Sequence, residues 1–285
     1  MAAALNIIGA LVTGTAVATT IGAGIVKPEA IGLHTVASAM VAIVIWSTVA
    51  WRWGLPTSET HALVAGLAGA GIATAGPSVL LWEGWKKVLI GLGLATVIGF
   101  VLGFIVMVII YRLFSRASYT SVKTIFGRLQ ILSSAFMAFS HGSNDGQKFM
   151  GAFALALFLG GILPQVQVPI WVVLLCGAFM GVGTGFGGWR IIRTMGFKLT
   201  KLEPVNGFAA ETSAGLAITL ASFLGIPLST THTINTAIMG VGATKRFSAV
   251  RWGVTREIVL AWLLTFPICG ILGFLFALLL KPIFQ

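Results

Sequence analysis

The chain has 285 residues, of which 57% are hydrophobic and only 9% charged. A soluble domain carries about a quarter charged residues, so a water-soluble fold is excluded and a polytopic helical membrane protein remains. The formal net charge of +11 comes from bases that punctuate the apolar runs rather than from a basic tract, which excludes nucleic acid as a partner. At about 20 residues per crossing plus turns, the length predicts roughly eight to ten membrane segments. Cys176 and Cys269 lie in apolar runs without CxxC spacing and read as packing residues. Met1 to Leu5 has no charged n-region, so no cleavable signal peptide is expected.

In chain order, apolar stretches predict helices over Leu5 to Ile25, Leu33 to Trp53, Val88 to Tyr111, Leu129 to Leu163, Ile170 to Trp189, Pro204 to Leu224 and Ile258 to Leu280. Ala62 to Ala75 and Thr233 to Ala243 are too short to span alone. The loops at 112–128, 190–203 and 245–257 are basic and belong in the cytoplasm by the positive-inside bias. Parity then turns Leu33 to Ala75 and Pro204 to Ala243 into two hairpins that each return to their own side, pointing in opposite directions. Most of the nine tryptophans fall near segment ends and read as interfacial anchors.

An internal repeat supports the two hairpins. Pro56-Thr-Ser-Glu-Thr-His61 and Pro227-Leu-Ser-Thr-Thr-His232 align at an offset of 171 residues, the interval from Ser58 to Ser229. Gly54, Pro56, Ser58, Thr60, His61, Gly69 and Gly71 match Gly225, Pro227, Ser229, Thr231, His232, Gly240 and Gly242. The fold class expected is all-α, a polytopic membrane protein with inverted internal repeats and two opposed hairpins with broken helices. Its division is residues 1–112 as the first repeat (hairpin 33–75), 113–128 as a basic cytoplasmic linker, and 129–285 as the second repeat (hairpin 204–243). By the same offset, the partner of His141-Gly-Ser-Asn-Asp-Gly-Gln147 falls before Met1, so the opening segment of the first repeat is expected to be missing.

Three clusters carry chemistry. Asp145, the only aspartate, sits with Asn144 between apolar arms, and Gly142 and Gly146 are expected to break the helix there. A carboxylate, an amide oxygen and freed carbonyls are hard oxygen ligands that suit Na⁺ or a proton-coupled site. The two Pro-x-Ser-x-Thr-His tips offer Ser58, Thr57, Thr60, Ser229, Thr230 and Thr231 as hydroxyl donors, each tip opening a short helix. Hydroxyls with a helix N-terminus suit an anion such as phosphate or sulfate, although Ser and Thr are also the ordinary N-caps. Glu59 and Glu211 are acids at membrane depth with a coupling role or an internal bridge in view, and Arg52 is a candidate partner for Glu59. His61 and His232 read as braces behind the tips, His141 and Lys148 as neighbours of Asp145, and His34 as interfacial.

The tips at 227–232 and 56–61, with His141-Gly-Ser-Asn-Asp-Gly-Gln-Lys148 and Glu203-Pro-Val-Asn-Gly-Phe-Ala-Ala-Glu211, resemble the inorganic phosphate transporter (PiT) family along nearly the whole chain. The resemblance implies import of inorganic phosphate by Na⁺ or H⁺ symport, through an inverted-repeat fold forming a homodimer in the plasma membrane, with no bound cofactor. It places phosphate at the two tips and coupling ions near the Asn144-Asp145 pair; with the reading of the residues above, the expected sites are Ser58, Thr60, Ser229, Thr230, Thr231 and Asn144 for phosphate, and Asp145, Asn144, Glu59 and Glu211 for coupling ions. Asp145 and Asn144 are the expected Na⁺ ligands. The family's opening Asp-Ala-Ala-Asn-like motif has no match here, and the first tip carries Glu59 where the family has small hydroxyl residues. The rival readings are a passive anion channel, a membrane enzyme acting on phosphorylated lipids through Ser229 and His232, and an inactive partial chain.

Overall fold

The computed structural model describes residues 1–200 and 202–284, and every extended element in it is a helix. Eleven α-helices follow in order: α1 (Ala2–Val12), α2 (Ala16–Gly24), α3 (Leu33–Trp53), α4 (Glu59–Ala75), α5 (Trp82–Leu113), α6 (Tyr119–Leu159), α7 (Ile170–Phe186), α8 (Trp189–Arg193), α9 (Pro204–Phe223), α10 (Thr230–Ala243) and α11 (Trp252–Leu280). Each predicted apolar stretch falls on one of them, except that Leu5 to Ile25 is two helices bent by 73° at Thr13 to Thr15. Residues 119–128, expected in a loop, are the first turns of α6; Ser118 caps them by accepting from the Ser121 amide at 3.2 Å.

The repeat offset carries from sequence into structure. Shifted by the Ser58-to-Ser229 interval, α3, α4 and α5 land on α9, α10 and α11, while α1 and α2 land on α7 and α8. The packing is reciprocal: α4 lies on α11 and α10 on α5, α3 on α11 and α9 on α5. Helix α6 stands outside this correspondence and runs against α1, α2 and α9. The bends at α1–α2 and α7–α8, the latter 60°, each lie against a hairpin tip. Thr20 donates to the Gly225 carbonyl at 2.8 Å, and a Cβ on Gly54 would meet the Arg190 carbonyl at 3.2 Å.

Gly54 and Gly225 end α3 and α9 at matching positions with φ of +69° and +66°. Only glycine enters that region without a Cβ penalty, so both arms stop there and the chain turns into its tip.

The expected break at 141–148 does not occur. Helix α6 runs unbroken through the motif, so no carbonyls or amides are freed there. Gly142 and Gly146 serve packing instead: they let α1 approach at Asn6 and Ala10, as small residues do between helices in lipid. A Cβ on Gly142 would stand 2.6 Å from the Asn6 Cα. Gly142→Ala is therefore expected to cost about 1–3 kcal/mol, read as a lower unfolding temperature of detergent-solubilised protein. An unchanged transition would contradict the close contact.

Three helices are long and apolar enough to cross a membrane, Leu33–Trp53, Trp82–Leu113 and Trp252–Ile283, or five if each bent pair counts as one span, among the described residues. That is fewer than the eight to ten predicted from length, because α4 and α10 are short and the polar motif interrupts the apolar run of α6 without breaking the helix. Outward faces of α5 and α11 present Leu89, Val97, Val101, Leu260, Leu263 and Ile271, an apolar surface that fits a bilayer. Two tryptophans are not anchors: Trp46 is buried with its Nε1 donating to Thr265 at 2.9 Å, and Trp262 is buried behind the first tip. Both cysteines are free.

Candidate functional site

The tips are built by N-capping. The Ser58 hydroxyl accepts from the His61 amide at 3.3 Å, and the Ser229 hydroxyl from the His232 amide at 3.2 Å. Ser58 and Ser229 are thus committed to starting α4 and α10, as extended-to-helix junctions in Ser favour. The two tips meet. Thr60 Oγ1 donates to the Leu228 carbonyl at 3.1 Å, across the boundary between the hairpins. Behind it the buried rings of His61 and His232 stand edge to face with centroids 4.7 Å apart. His232 lies 3.7 Å from the Trp262 ring, whose Nε1 donates to the Pro56 carbonyl at 2.9 Å. Both nitrogens of His232 lack hydrogen-bond partners, so the pair meets through ring contact.

Helix α6 supplies the charges. Asp145 lies one turn before Lys148, and the ammonium reaches Asp145 Oδ1 at 2.5 Å. Lys148 is 1% exposed and spends its other two protons on Thr60 Oγ1 at 2.5 Å and the Leu228 carbonyl at 2.6 Å. Three donors thus meet three acceptors, one from each hairpin tip and one from α6. Asp145 Oδ2 accepts from Thr230 at 2.9 Å and pairs with His141 Nε2 at 3.0 Å. His141 Nδ1 lies 2.9 Å from the Asn6 side-chain oxygen on α1. An uncompensated carboxylate at this depth costs at least about 2.5 kcal/mol. Here donors reach both of its oxygens.

A cavity of about 380 Å³ opens where these parts converge, lined by Ser47, Thr57, Glu59, His141, Asp145, Thr230 and Thr231 among others. A second cavity of about 460 Å³, largely apolar with Phe149, Phe153 and Phe179, shares Glu59, His141 and Asp145. The polar group therefore stands between two openings. Glu59 differs from Asp145 in its neighbours. Its oxygens accept from Ser47 at 2.9 and 2.8 Å, and no lysine or arginine pairs with it among the described residues. Arg52, its expected partner, lends only its carbonyl, to Arg190.

Of the residues singled out in the sequence, Thr57, Glu59, His141, Asp145, Thr230 and Thr231 share the cavity wall. Thr60 and Lys148 lie in the joint between the tips. Asn144 turns the other way, donating to Ser222 at 2.9 Å and leaving its Oδ1 without a protein partner. Glu211 is elsewhere: its carboxylate accepts from Ser133 at 2.5 Å, an internal bridge between α9 and α6. His34 is no mere interfacial residue, since its Nε2 lies 3.2 Å from Thr74 and ties α3 to α4. Sequence reasoning missed three supports: Ser47, Asn6 and Gln147, whose Oε1 accepts from the Val17 amide at 2.9 Å at the start of α2. A polar side chain inside an apolar run was the signal for Ser47 and Asn6, whereas Gln147 lies within the polar motif of α6.

The comparisons with known proteins agree. The model of the Phosphate transporter family matches residues 1–273. A "Probable low-affinity inorganic phosphate transporter" of Rhizobium meliloti (strain 1021) is 44% identical over 273 residues, covering 95% of this chain and 82% of that protein. One of the same description from Bacillus subtilis (strain 168) is 38% identical over 287 residues, covering 100% and 86%. A solved structure described as "The sodium-dependent phosphate transporter" superposes with a TM-score of 0.90 at 26% identity, covering 99% of this chain and 89% of that one. The chain is thus a membrane transporter and not an enzyme, and it belongs to the phosphate transporter family.

Proposed function

We propose that this chain imports inorganic phosphate across the plasma membrane by symport with a cation, Na⁺ or H⁺. The observation that carries the reading is the convergence of both tips and α6 on one cavity that holds hydroxyl donors and an unpaired acid. Thr57 and Thr231 offer hydroxyls to phosphate, Thr230 joins them by turning its proton from Asp145, and the N-terminal amides of α4 and α10 add the positive ends of two helix dipoles. Ser58 and Ser229 act one step back, by holding those helix starts in place. Asp145 faces the same space, but Lys148 balances its charge.

Glu59 supplies the coupling. A phosphate anion beside an ionised Glu59 is repelled, and two unit charges 4 Å apart interact with about 4 kcal/mol at an effective dielectric near 20. A cation taken up on Glu59 removes that repulsion, so anion and cation enter together. Asn144 and Glu211, outside the cavity wall, serve the packing of α6 on α9. The division into repeats at 1–112 and 129–285, and assembly as a homodimer, belong to the same proposal; the mass of the solubilised particle checks the latter.

Radiolabelled phosphate uptake into proteoliposomes tests it. Phosphate is expected to accumulate above its external concentration when an inward cation gradient is imposed, and to equilibrate only when the gradient is collapsed. Gradient-independent equilibration would make the protein a channel, and no uptake under any gradient would remove the reading. Replacing Ser58 or Ser229 by alanine is expected to cost about 1 kcal/mol of stability, as lost N-caps do, with phosphate affinity retained. Loss of phosphate binding in a stably folded Ser229→Ala protein would make that hydroxyl a direct ligand.

A further inference from the structure

The Lys148 ammonium occupies an unusual seat. Its nitrogen is held by a carboxylate oxygen of Asp145, a hydroxyl of Thr60 and the backbone carbonyl of Leu228, at 2.5, 2.5 and 2.6 Å. These ligands come from α6, from the start of α4 and from the tip between α9 and α10, and the side chain is 1% exposed. Carboxylate, hydroxyl and carbonyl oxygens gathered at a joint between opposed hairpins are the donor set of a hard metal cation. No bound ion is needed to neutralise them, because the chain supplies its own cation from one turn along α6.

We propose that Lys148 is a tethered cation standing where a Na⁺ would otherwise bind beside Asp145, and that it sets the coupling ion as H⁺ rather than Na⁺. This rests on the phosphate-symport reading and deepens it. A Na⁺ at this seat would enter and leave in each cycle and so draw on its gradient. An ammonium fixed to α6 keeps the positive charge that holds the two tips together, yet carries no ion across. The coupling step then falls to Glu59, the acid in the same cavity without a basic partner. There Ser47 is the one group hydrogen-bonded to the carboxylate, and no group of three His, Cys, Asp or Glu side chains that could hold a metal ion forms among the described residues, so the site suits a carboxyl proton better than a hard metal cation. Lys148 is on this account a specificity-determining residue.

Binding of radiolabelled Na⁺ to the purified, solubilised protein tests this without relying on transport. The wild-type chain is expected to show no saturable Na⁺ binding. Lys148→Ala and Lys148→Ser, each verified as monodisperse by gel filtration, are expected to gain it, and adding Asp145→Asn to either is expected to abolish it again. In proteoliposomes, wild-type phosphate uptake should follow an imposed pH gradient and ignore an imposed Na⁺ gradient at fixed pH. Saturable Na⁺ binding by the wild type that Asp145→Asn removes would overturn the proposal, as would monodisperse Lys148 variants that bind none. If neither variant folds, the wild-type measurements decide: uptake stimulated by Na⁺ overturns the proposal, and uptake driven by the pH gradient alone supports it. If the wild type moves no phosphate at all, the symport reading fails, while the Na⁺-binding comparison still reads the tethered cation by itself.

Discussion

Asp145→Asn is expected to abolish phosphate uptake and to lower stability by about 3–5 kcal/mol, the range for breaking one side of a buried ion pair. The carboxylate holds three groups at once: Lys148, Thr230 and His141. Asparagine keeps the size but removes the charge, so the ammonium of Lys148 is left among neutral oxygens in the joint between the tips. The second tip also loses the acceptor that fixes Thr230 beside the cavity. Charge and packing can be separated by the double variant Asp145→Asn with Lys148→Met. Because both charges are gone, stability is expected to recover much of the loss, while uptake stays low for want of the oriented Thr230. Unfolding temperature and radiolabelled phosphate uptake measure the two effects separately. An Asp145→Asn protein with wild-type stability and uptake would contradict the structural role given to the pair.

Glu59→Gln is expected to uncouple transport rather than stop it. Glutamine retains a side-chain oxygen for Ser47 but is permanently neutral, which imitates the cation-loaded acid. Phosphate should then still exchange across proteoliposomes in counterflow, since the repulsion at the cavity is gone. Net accumulation against a concentration difference should vanish, leaving equal concentrations inside and out. Accumulation at the wild-type level in this variant would place the coupling ion elsewhere.

Much of the fold is legible in the sequence because lipid imposes the pattern. Apolar runs bounded by bases mark the helices, and the repeated Pro-x-Ser-x-Thr-His tips locate both hairpins to within a few residues. The approach of the tips to each other is also foreseeable, since matching motifs on opposed hairpins can meet only between them. Helix α6 is where local reasoning failed. Gly142 and Gly146 beside a buried acid suggest a break, yet the helix is continuous, since the acid finds donors in side chains and the glycines make room for α1. Composition cannot distinguish a glycine that frees the backbone from one that admits a neighbour. The same limit applied to Glu59, assigned to Arg52 by proximity along the chain, whereas Ser47 reaches it from the preceding helix. Lys148 read as a counter-charge for Asp145; that it also joins the two tips depends on the Leu228 carbonyl and Thr60, whose positions only the folded chain defines.

The central claim is that phosphate sits in the cavity between the tips, held by threonine hydroxyls. Binding of radiolabelled phosphate to the solubilised protein tests it most directly, comparing wild type with the Thr230→Val and Thr231→Val double variant, which keeps shape and removes both hydroxyls. The account predicts saturable binding by the wild type and an affinity reduced about tenfold or more, some 1.4 kcal/mol, in a variant of normal mass and monodispersity. Equal affinity in the two proteins would contradict it.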